Sequence, residues 1–345
     1  MSAPGRNIKP IRFGSRLIGP EAPVVVIAEI GINHEGDVEA CARMIRQAAN
    51  AGADVVKLQT MDPRENYVPG TLSHELFSKA ELTCEETARM FDLARSLGME
   101  ALTTCGDLAT LTWVDRLEPA AHKISSGLLT HLPLIDWAAR LGRPLLMSTG
   151  MTGLAPVREA VDQARGAGAT EIVLLQCTSR YPAPPETLHL RAIRTLADEF
   201  AVPAGFSDHS VGHEAAVLAV AGGACVIEKH FSENPNRPSF DHHISLDEAG
   251  LKTLVGAVRK AEIMLGTQRK DCSPEVQSAA KGFLRSIVAR RDIEPGETLD
   301  LENVAFMRTV PERRGLPPGE WVNLAGRRTV VRIARFEAIQ PENVH

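Results

Sequence analysis

Two histidines, His209 and His230, fall just beyond two short apolar runs, Pro203 to Phe206 and Cys225 to Glu228. Imidazoles delivered from neighbouring strand ends make a site for a divalent metal with open positions. Taken singly, each is equally a hydrogen-bonding core histidine. Asp208 and Asp241 are nearby carboxylates for the same site. Two lysines, Lys57 and Lys123, sit inside apolar runs, where an unpaired charge is costly. Ammonium groups ringed by hydroxyls suit an anion such as phosphate. A buried lysine also serves a Schiff-base aldolase, which stays open as an alternative. Glu29 closes another run, ahead of Gly31, Asn33 and Gly36. It is a candidate general acid or base, or else the ion-pair partner of a lysine.

These residues need elements to bring them together. From about Val24 to Leu265, short β-branched runs alternate with longer helical patterns. The runs are Val24 to Ala28, Asp54 to Leu58, Ala101 to Thr104, His122 to Ser125, Leu145 to Met147, Ile172 to Leu175, Pro203 to Phe206 and Cys225 to Glu228. Between them lie apolar residues at helical spacing, as in Val38 to Ala51, where Asp37 is the predicted N-cap. Leu108 to Leu117 is the weakest of these helices, and Leu188 to Phe200 and Asp247 to Leu265 are among the clearest. The alternation predicts an α/β fold, a (β/α)8 TIM barrel. A doubly wound sheet is the rival, but no GxGxxG follows any run.

In such a barrel, chemistry gathers at the C-terminal strand ends. Those ends supply Glu29, Lys57 with Gln59, Thr104, Lys123 with Ser126, Ser148, Tyr181, Ser207 with His209, and His230. Ile11 to Phe13 and Leu17 to Ile18 flank Gly14-Ser15-Arg16, a predicted hairpin that plugs the barrel floor. Gly266 to Lys281 is polar, holds a proline and reads as a linker. Beyond it, Ser286 to Val288 and Val330 to Ile333 predict a compact unit of short strands. The expected division is 1–20 for the hairpin, 21–268 for the barrel, 269–284 for the linker and 285–345 for a β-rich tail.

The bulk composition narrows the function. The chain has 345 residues and a net charge of −5, unlike the basic footprint of a nucleic-acid binder. Met1 to Pro10 lacks the apolar run of a signal peptide, and no stretch approaches ~18 apolar residues, so no membrane span is expected. The six cysteines form no CxxC pair, as expected for reduced thiols in the cytoplasm.

Several segments, taken in order, resemble the sialic acid synthase family. They are Ala28 to Asp37, Gly52 to Thr60, Lys123 to Gly127, Ser148 to Met151, Gln176 to Pro182, Gly205 to Ser210 and Ile227 to Phe231. The tail, from Arg285 to Ala289 through Asn323 to Arg327, resembles that family's antifreeze-like (SAF) domain. The resemblance implies a transferase that condenses phosphoenolpyruvate with an amino-sugar aldehyde and releases phosphate. It implies phosphoenolpyruvate binding by Lys57, Thr104, Lys123, Ser126, Ser148 and Ser207, and acid/base work by Glu29. It implies manganese or magnesium held by His209 and His230. The sugar site would fall on Gln59, Ser179, Tyr181 and Asp241. A basic residue from the Arg308 to Arg314 segment of a domain-swapped homodimer partner, here Arg314, would complete it. The chain departs from the family pattern at Ser179, at Leu128, at Cys105-Gly106-Asp107 and in the loop Ser232 to Phe240. These changes concern the sugar. An N-acetylmannosamine-like acceptor is the first expectation, and a legionaminic or pseudaminic type of acceptor is the alternative.

Overall fold

The computed structural model describes residues 8–267 and 269–345. The readings made on residues 1–7 and on Gln268 lie outside the described residues. The chain forms two compact units, Met1–Gly266 and Thr267–His345.

The first unit opens with a hairpin of β1 (Ile11–Phe13) and β2 (Arg16–Ile18). Eight parallel strands then close into a barrel: β3 (Val25–Gly31), β4 (Val55–Gln59), β5 (Glu100–Thr104), β6 (His122–Ile124), β7 (Leu145–Ser148), β8 (Ile172–Cys177), β9 (Ala204–Asp208) and β10 (Val226–His230). Strand β10 pairs with β3, which completes the ring. Helices follow the strands as the periodicity predicts. Asp37 caps Val38–Ala51 by accepting from the backbone N–H groups of Glu39 and Ala40 at 2.8 and 3.1 Å. Gly52 ends that helix at φ 88°, a left-handed position that favours glycine.

Successive residues of a strand face opposite ways, and this alternation sorts the barrel. One set, including Val26, Ala28, Val56, Leu174, Phe206 and Ile227, packs outward against the helices. The other set, Val25, Ile27, Val55, Leu102, Leu146, Val173 and Val226, fills the interior with Ile11, Phe13 and Ile18 of the hairpin. The hairpin is latched at the strands' N-terminal ends. Ser15 donates twice to Glu100, and Arg16 pairs with Asp54 at 2.7 Å. Phe13 is fully buried in that plug. Phe13→Ala should therefore cost about 3–5 kcal/mol of stability; an unchanged urea midpoint would count against the plug.

Some boundaries differ from expectation. The second connection holds two unforeseen helices, Pro63–Asn66 and Leu72–Lys79. The helix expected from Leu188 starts at Ala192, after a 3-10 turn at Pro185–Thr187. The stretch 269–284, read as a linker, contains a helix at Pro274–Phe283. Its proline is an opening residue rather than a breaker, because Ser273 caps the helix and Pro274 needs no N–H there.

In the second unit, β11 (Arg285–Ala289) pairs antiparallel with β12 (Val304–Arg308). Its core is Ile287, Ala289, Ile293, Leu299, Val304, Leu324, Ile333 and Ile339. The strand expected at Val330 to Ile333 is not formed; that segment pairs through an isolated bridge, Ile293↔Ile333. No described helix is long and apolar enough to cross a membrane.

Candidate active site

The interior face of the strands ends, at the C-terminal rim, in polar groups. The alternation that buries Val25 and Ile27 carries Glu29 inward, and likewise Lys57 above Val55 and Glu228 above Val226. Register sets their neighbours: Glu29 lies beside Lys57 and His230, Thr104 beside Gln59 and Lys123.

At the centre are two lysines and two glutamates, all at most 5% exposed. Lys57 Nζ lies 2.7 Å from Glu29 Oε2 and 3.6 Å from Glu228 Oε2. Lys123 Nζ lies 3.7 Å from Glu228 Oε1 and donates to Ser148 Oγ at 2.8 Å. Ser207 Oγ donates to Glu228 at 2.9 Å, and Gln59 Nε2 donates to Glu29 at 2.7 Å. Gly31, at φ 56°, lets the chain pass this pair; a Cβ there would stand 3.1 Å from Glu29 Oε1. Both readings of Glu29 therefore keep a physical basis: it pairs with a lysine and it faces the rim.

The environment splits the two carboxyls. Burial pushes Glu29 upward; Lys57 opposes this, and the charge of Glu228 reinforces it. Burial acts on Glu228 too, but Lys123 and Lys57 outweigh it and hold that carboxyl low. Burial would lower Lys57, yet Glu228 and Glu29 carry it upward. Lys123 goes down, because burial, aided by Lys57, exceeds the pull of Glu228. Glu228 is thus the fixed anion and Glu29 the group ready to take a proton.

Glu228 was not among the expected site residues. Its signal was present: a glutamate closing an apolar run, two residues before His230 and so on the same face. Glu228→Ala would leave two buried ammonium groups with Glu29 as the nearby carboxylate, and Lys123 without its ion-pair partner. It should cost about 3–5 kcal/mol of stability, read as a lowered denaturant midpoint; parental stability would refute this account.

The imidazoles of His209 and His230 approach with ring centroids 5.3 Å apart. His209 Nδ1 lies 2.9 Å from the Thr178 carbonyl, which only accepts. In the neutral ring the proton therefore sits on Nδ1 and Nε2 carries the lone pair. Burial lowers the pKa of His209, but the Cys177 sulfur 3.7 Å away and the Thr178 carbonyl reverse the direction. Burial, with His209 and the lysines nearby, holds His230 well below its usual value. The His230 Nδ1 is buried with no partner, and Asp241 Oδ2 lies 3.8 Å from it. Among the described residues no group of three or more His, Cys, Asp or Glu forms a ready metal cage. What is present is a neutral buried imidazole, a second with its tautomer fixed and a carboxylate alongside. That set fits a divalent cation held by two nitrogens with open positions.

The remaining expected residues are placed as follows. The Thr104 hydroxyl is buried without a partner, as a ligand-facing group would be. Ser126 Oγ accepts from the Gly150 N–H at 2.9 Å. Ser179 Oγ is also buried without a partner, and a Cβ on Gly150 would stand 2.8 Å from it. The Tyr181 ring lies 4.3 Å from the His209 ring. Arg314 belongs to the second unit, where its carbonyl accepts from Gln340 at 2.8 Å. His34 and His242 are buried as well: His34 Nδ1 accepts from the Gly36 N–H, and His242 bonds Ser232 and Glu35.

Known proteins resemble this chain over most of its length. The model of the NeuB family matches residues 44–270, and that of the SAF domain matches 285–345. The N,N'-diacetyllegionaminic acid synthase of Legionella pneumophila is 36% identical over 304 residues, covering 83% of this chain and 85% of that protein. The pseudaminic acid synthase of Helicobacter pylori is 31% identical over 296 residues, covering 82% and 87%. Among solved structures, the spore coat polysaccharide biosynthesis protein SpsE of Bacillus subtilis superposes with a TM-score of 0.69 at 32% identity, covering 98% of this chain and 99% of that one. The chain therefore belongs to the NeuB family and carries a SAF domain over residues 285–345.

Proposed function

We propose that the protein condenses phosphoenolpyruvate with the aldehyde of an N-acylated amino sugar, giving a nonulosonic acid and inorganic phosphate. The acceptor we favour is a sugar of the legionaminic type, with two N-acetyl groups, rather than N-acetylmannosamine. The observation that carries the reaction is the buried cluster of Lys57, Lys123, Glu29 and Glu228 at the rim. Family membership supports it, as does the name of the Legionella relative. The Ser179 and Leu128 departures favour an acceptor other than that of the neuraminate synthases.

Lys57 and Lys123 receive the phosphate and carboxylate, with the hydroxyls of Thr104, Ser126, Ser148 and Ser207 completing the shell. The C3 carbon of phosphoenolpyruvate attacks the aldehyde carbon and forms the new C–C bond, and the aldehyde oxygen takes a proton. Water adds at C2 and gives up a proton; the C2–O bond then breaks and phosphate leaves. Glu29, readily protonated, serves as the acid/base group for these transfers. Gln59 orients it, and the lysines follow the charge as it moves between phosphate and carboxylate. His209 and His230 would hold manganese or magnesium, with Asp241 beside them. When bound, the cation supplies Lewis-acid polarisation at the aldehyde oxygen. Tyr181 and Asp241 face the acceptor.

The test is phosphate release from phosphoenolpyruvate against a panel of N-acylated hexosamines, with mass spectrometry of the product. The diacetamido acceptor should give the highest kcat/KM. Preference for N-acetylmannosamine would overturn the acceptor, and no release with any sugar would overturn the reaction. Borohydride should trap no imine, as a Schiff-base mechanism would require. We assign Arg314 of a second copy to the acceptor as well. Arg314→Ala should raise KM for the sugar and leave KM for phosphoenolpyruvate unchanged; equal effects on both would refute that assignment.

A further inference from the structure

Asp208 and Lys229 point away from the barrel interior, into the layer against the helices. They are register partners, one step beyond the next outward pair, where Phe206 faces Ile227. Both side chains are wholly buried. Lys229 Nζ bonds Asp208 Oδ2 at 3.0 Å and also donates to the Ser210 carbonyl. Asp208 Oδ1 accepts from Ser210 N at 2.8 Å and from Ser210 Oγ at 2.6 Å. The residues on both sides of His209 are therefore tied to the residue that precedes His230.

A buried ion pair is an inefficient source of stability. Apolar groups of similar volume, like the pair beside it, do as well or better. What the charged network supplies is direction. Strand β9 ends at Asp208, so His209 is the first residue beyond the ladder. There its carbonyl accepts from the Ala183 N–H at 2.9 Å, and its two chain neighbours are held by the network of Asp208, Ser210 and Lys229. His230 is the last residue of β10, held by pairing with Glu29. Lys229, the residue before His230, thus ties the end of β10 to the residues on both sides of His209.

We propose that Asp208 and Lys229 are positioning residues that set the spacing of His209 and His230 for a divalent cation. The proposal rests on the reading of those histidines as a metal site. Neither residue touches the reacting atoms. Their effect would be to hold the rings, 5.3 Å apart between centroids, so that binding needs no reorganisation of the strand end.

The experiment is a titration of full-length protein with Mn2+, followed by the electron paramagnetic resonance of the free ion, with thermal unfolding in parallel. The double variant Lys229→Met with Asp208→Leu removes both charges and keeps bulk. It should remain cooperatively folded and bind Mn2+ about 10–100-fold more weakly, the usual effect of losing support behind a metal ligand. Parental affinity in the folded double variant overturns the proposal. Should that variant not fold, Ser210→Ala removes only the Oγ bond to Asp208. It should weaken Mn2+ binding by at least about 2-fold, the equivalent of one hydrogen bond, and unchanged affinity again overturns the proposal. His230→Ala separates the two claims. If it binds Mn2+ like the parent, or the parent does not bind, the metal reading falls and takes the proposal with it. If it loses binding while the double variant keeps it, the proposal alone falls.

Discussion

Phosphate release from phosphoenolpyruvate is expected to fall at least about 100-fold in His209→Ala and in His230→Ala, the scale of losing a Lewis acid worth several kcal/mol to the transition state. The two imidazoles come from adjacent strand ends, and each has a nitrogen left for a ligand. Neither is needed for the fold in the way that Phe13 or Glu228 is. His230 Nδ1 bonds nothing, and His209 makes its hydrogen bond to the Thr178 carbonyl at the edge of the barrel. Chelation of the parent enzyme should reproduce the loss. Added Mn2+ should restore the chelated parent and not the variants. Full phosphate release in either variant would sink the metal reading.

Glu29→Gln should lower kcat by about 100- to 10,000-fold, the range for loss of a general acid or base, with KM for phosphoenolpyruvate changed only a few-fold. The amide keeps the shape: its oxygen can accept from Lys57, and its NH2 can donate to Gln59 once the Gln59 amide turns its oxygen inward, both partners standing 2.7 Å from the carboxylate oxygens in the parent. It cannot titrate. Burial raises the Glu29 carboxyl above the ordinary glutamate value. The parental pH–rate profile should therefore carry a limb above the usual glutamate range, and the variant should lose it. A second consequence concerns folding. The native state holds the Glu29 proton more tightly than the unfolded chain. Its contribution to stability is thus largest below the unfolded value and is lost as the pH rises through the folded one. Unchanged turnover in Glu29→Gln would leave the carboxylate as an ion-pair partner only.

The strand order and the inward face were legible because buried parallel strands are continuous apolar runs with a fixed period of two. The runs end too early, however. The backbone ladder continues through Glu29, Ser148, Cys177, Asp208 and His230, where polar side chains interrupt the apolar signal without interrupting pairing. Glu228 was overlooked for that reason: it closed a run and was counted as its edge. The helix at Pro274–Phe283 was hidden by its own first residue, since a proline breaks a helix inside and opens one at its start. The Asp208–Lys229 contact was out of reach. It depends on the register between two strands, which only the closed barrel supplies. In the tail, Val330 to Ile333 has strand-like residues but a single bridge, and the ladder in that core runs between β11 and β12 instead.

The ring has no seam other than the one between its first and last strands. Glu29 and His230 face each other there as register partners, roughly 200 residues apart along the chain, a separation that slows folding because loop closure must precede the contact. The Glu29 carboxylate is made early on the ribosome and its neighbour late. Until His230 has emerged and β10 has docked, the first strand has an open edge and the lysines have an incomplete set of counter-charges. Closure of the barrel and assembly of the charged cluster are therefore the same event, and a barrel stopped one strand short would have an exposed edge and would lack Glu228 and His230.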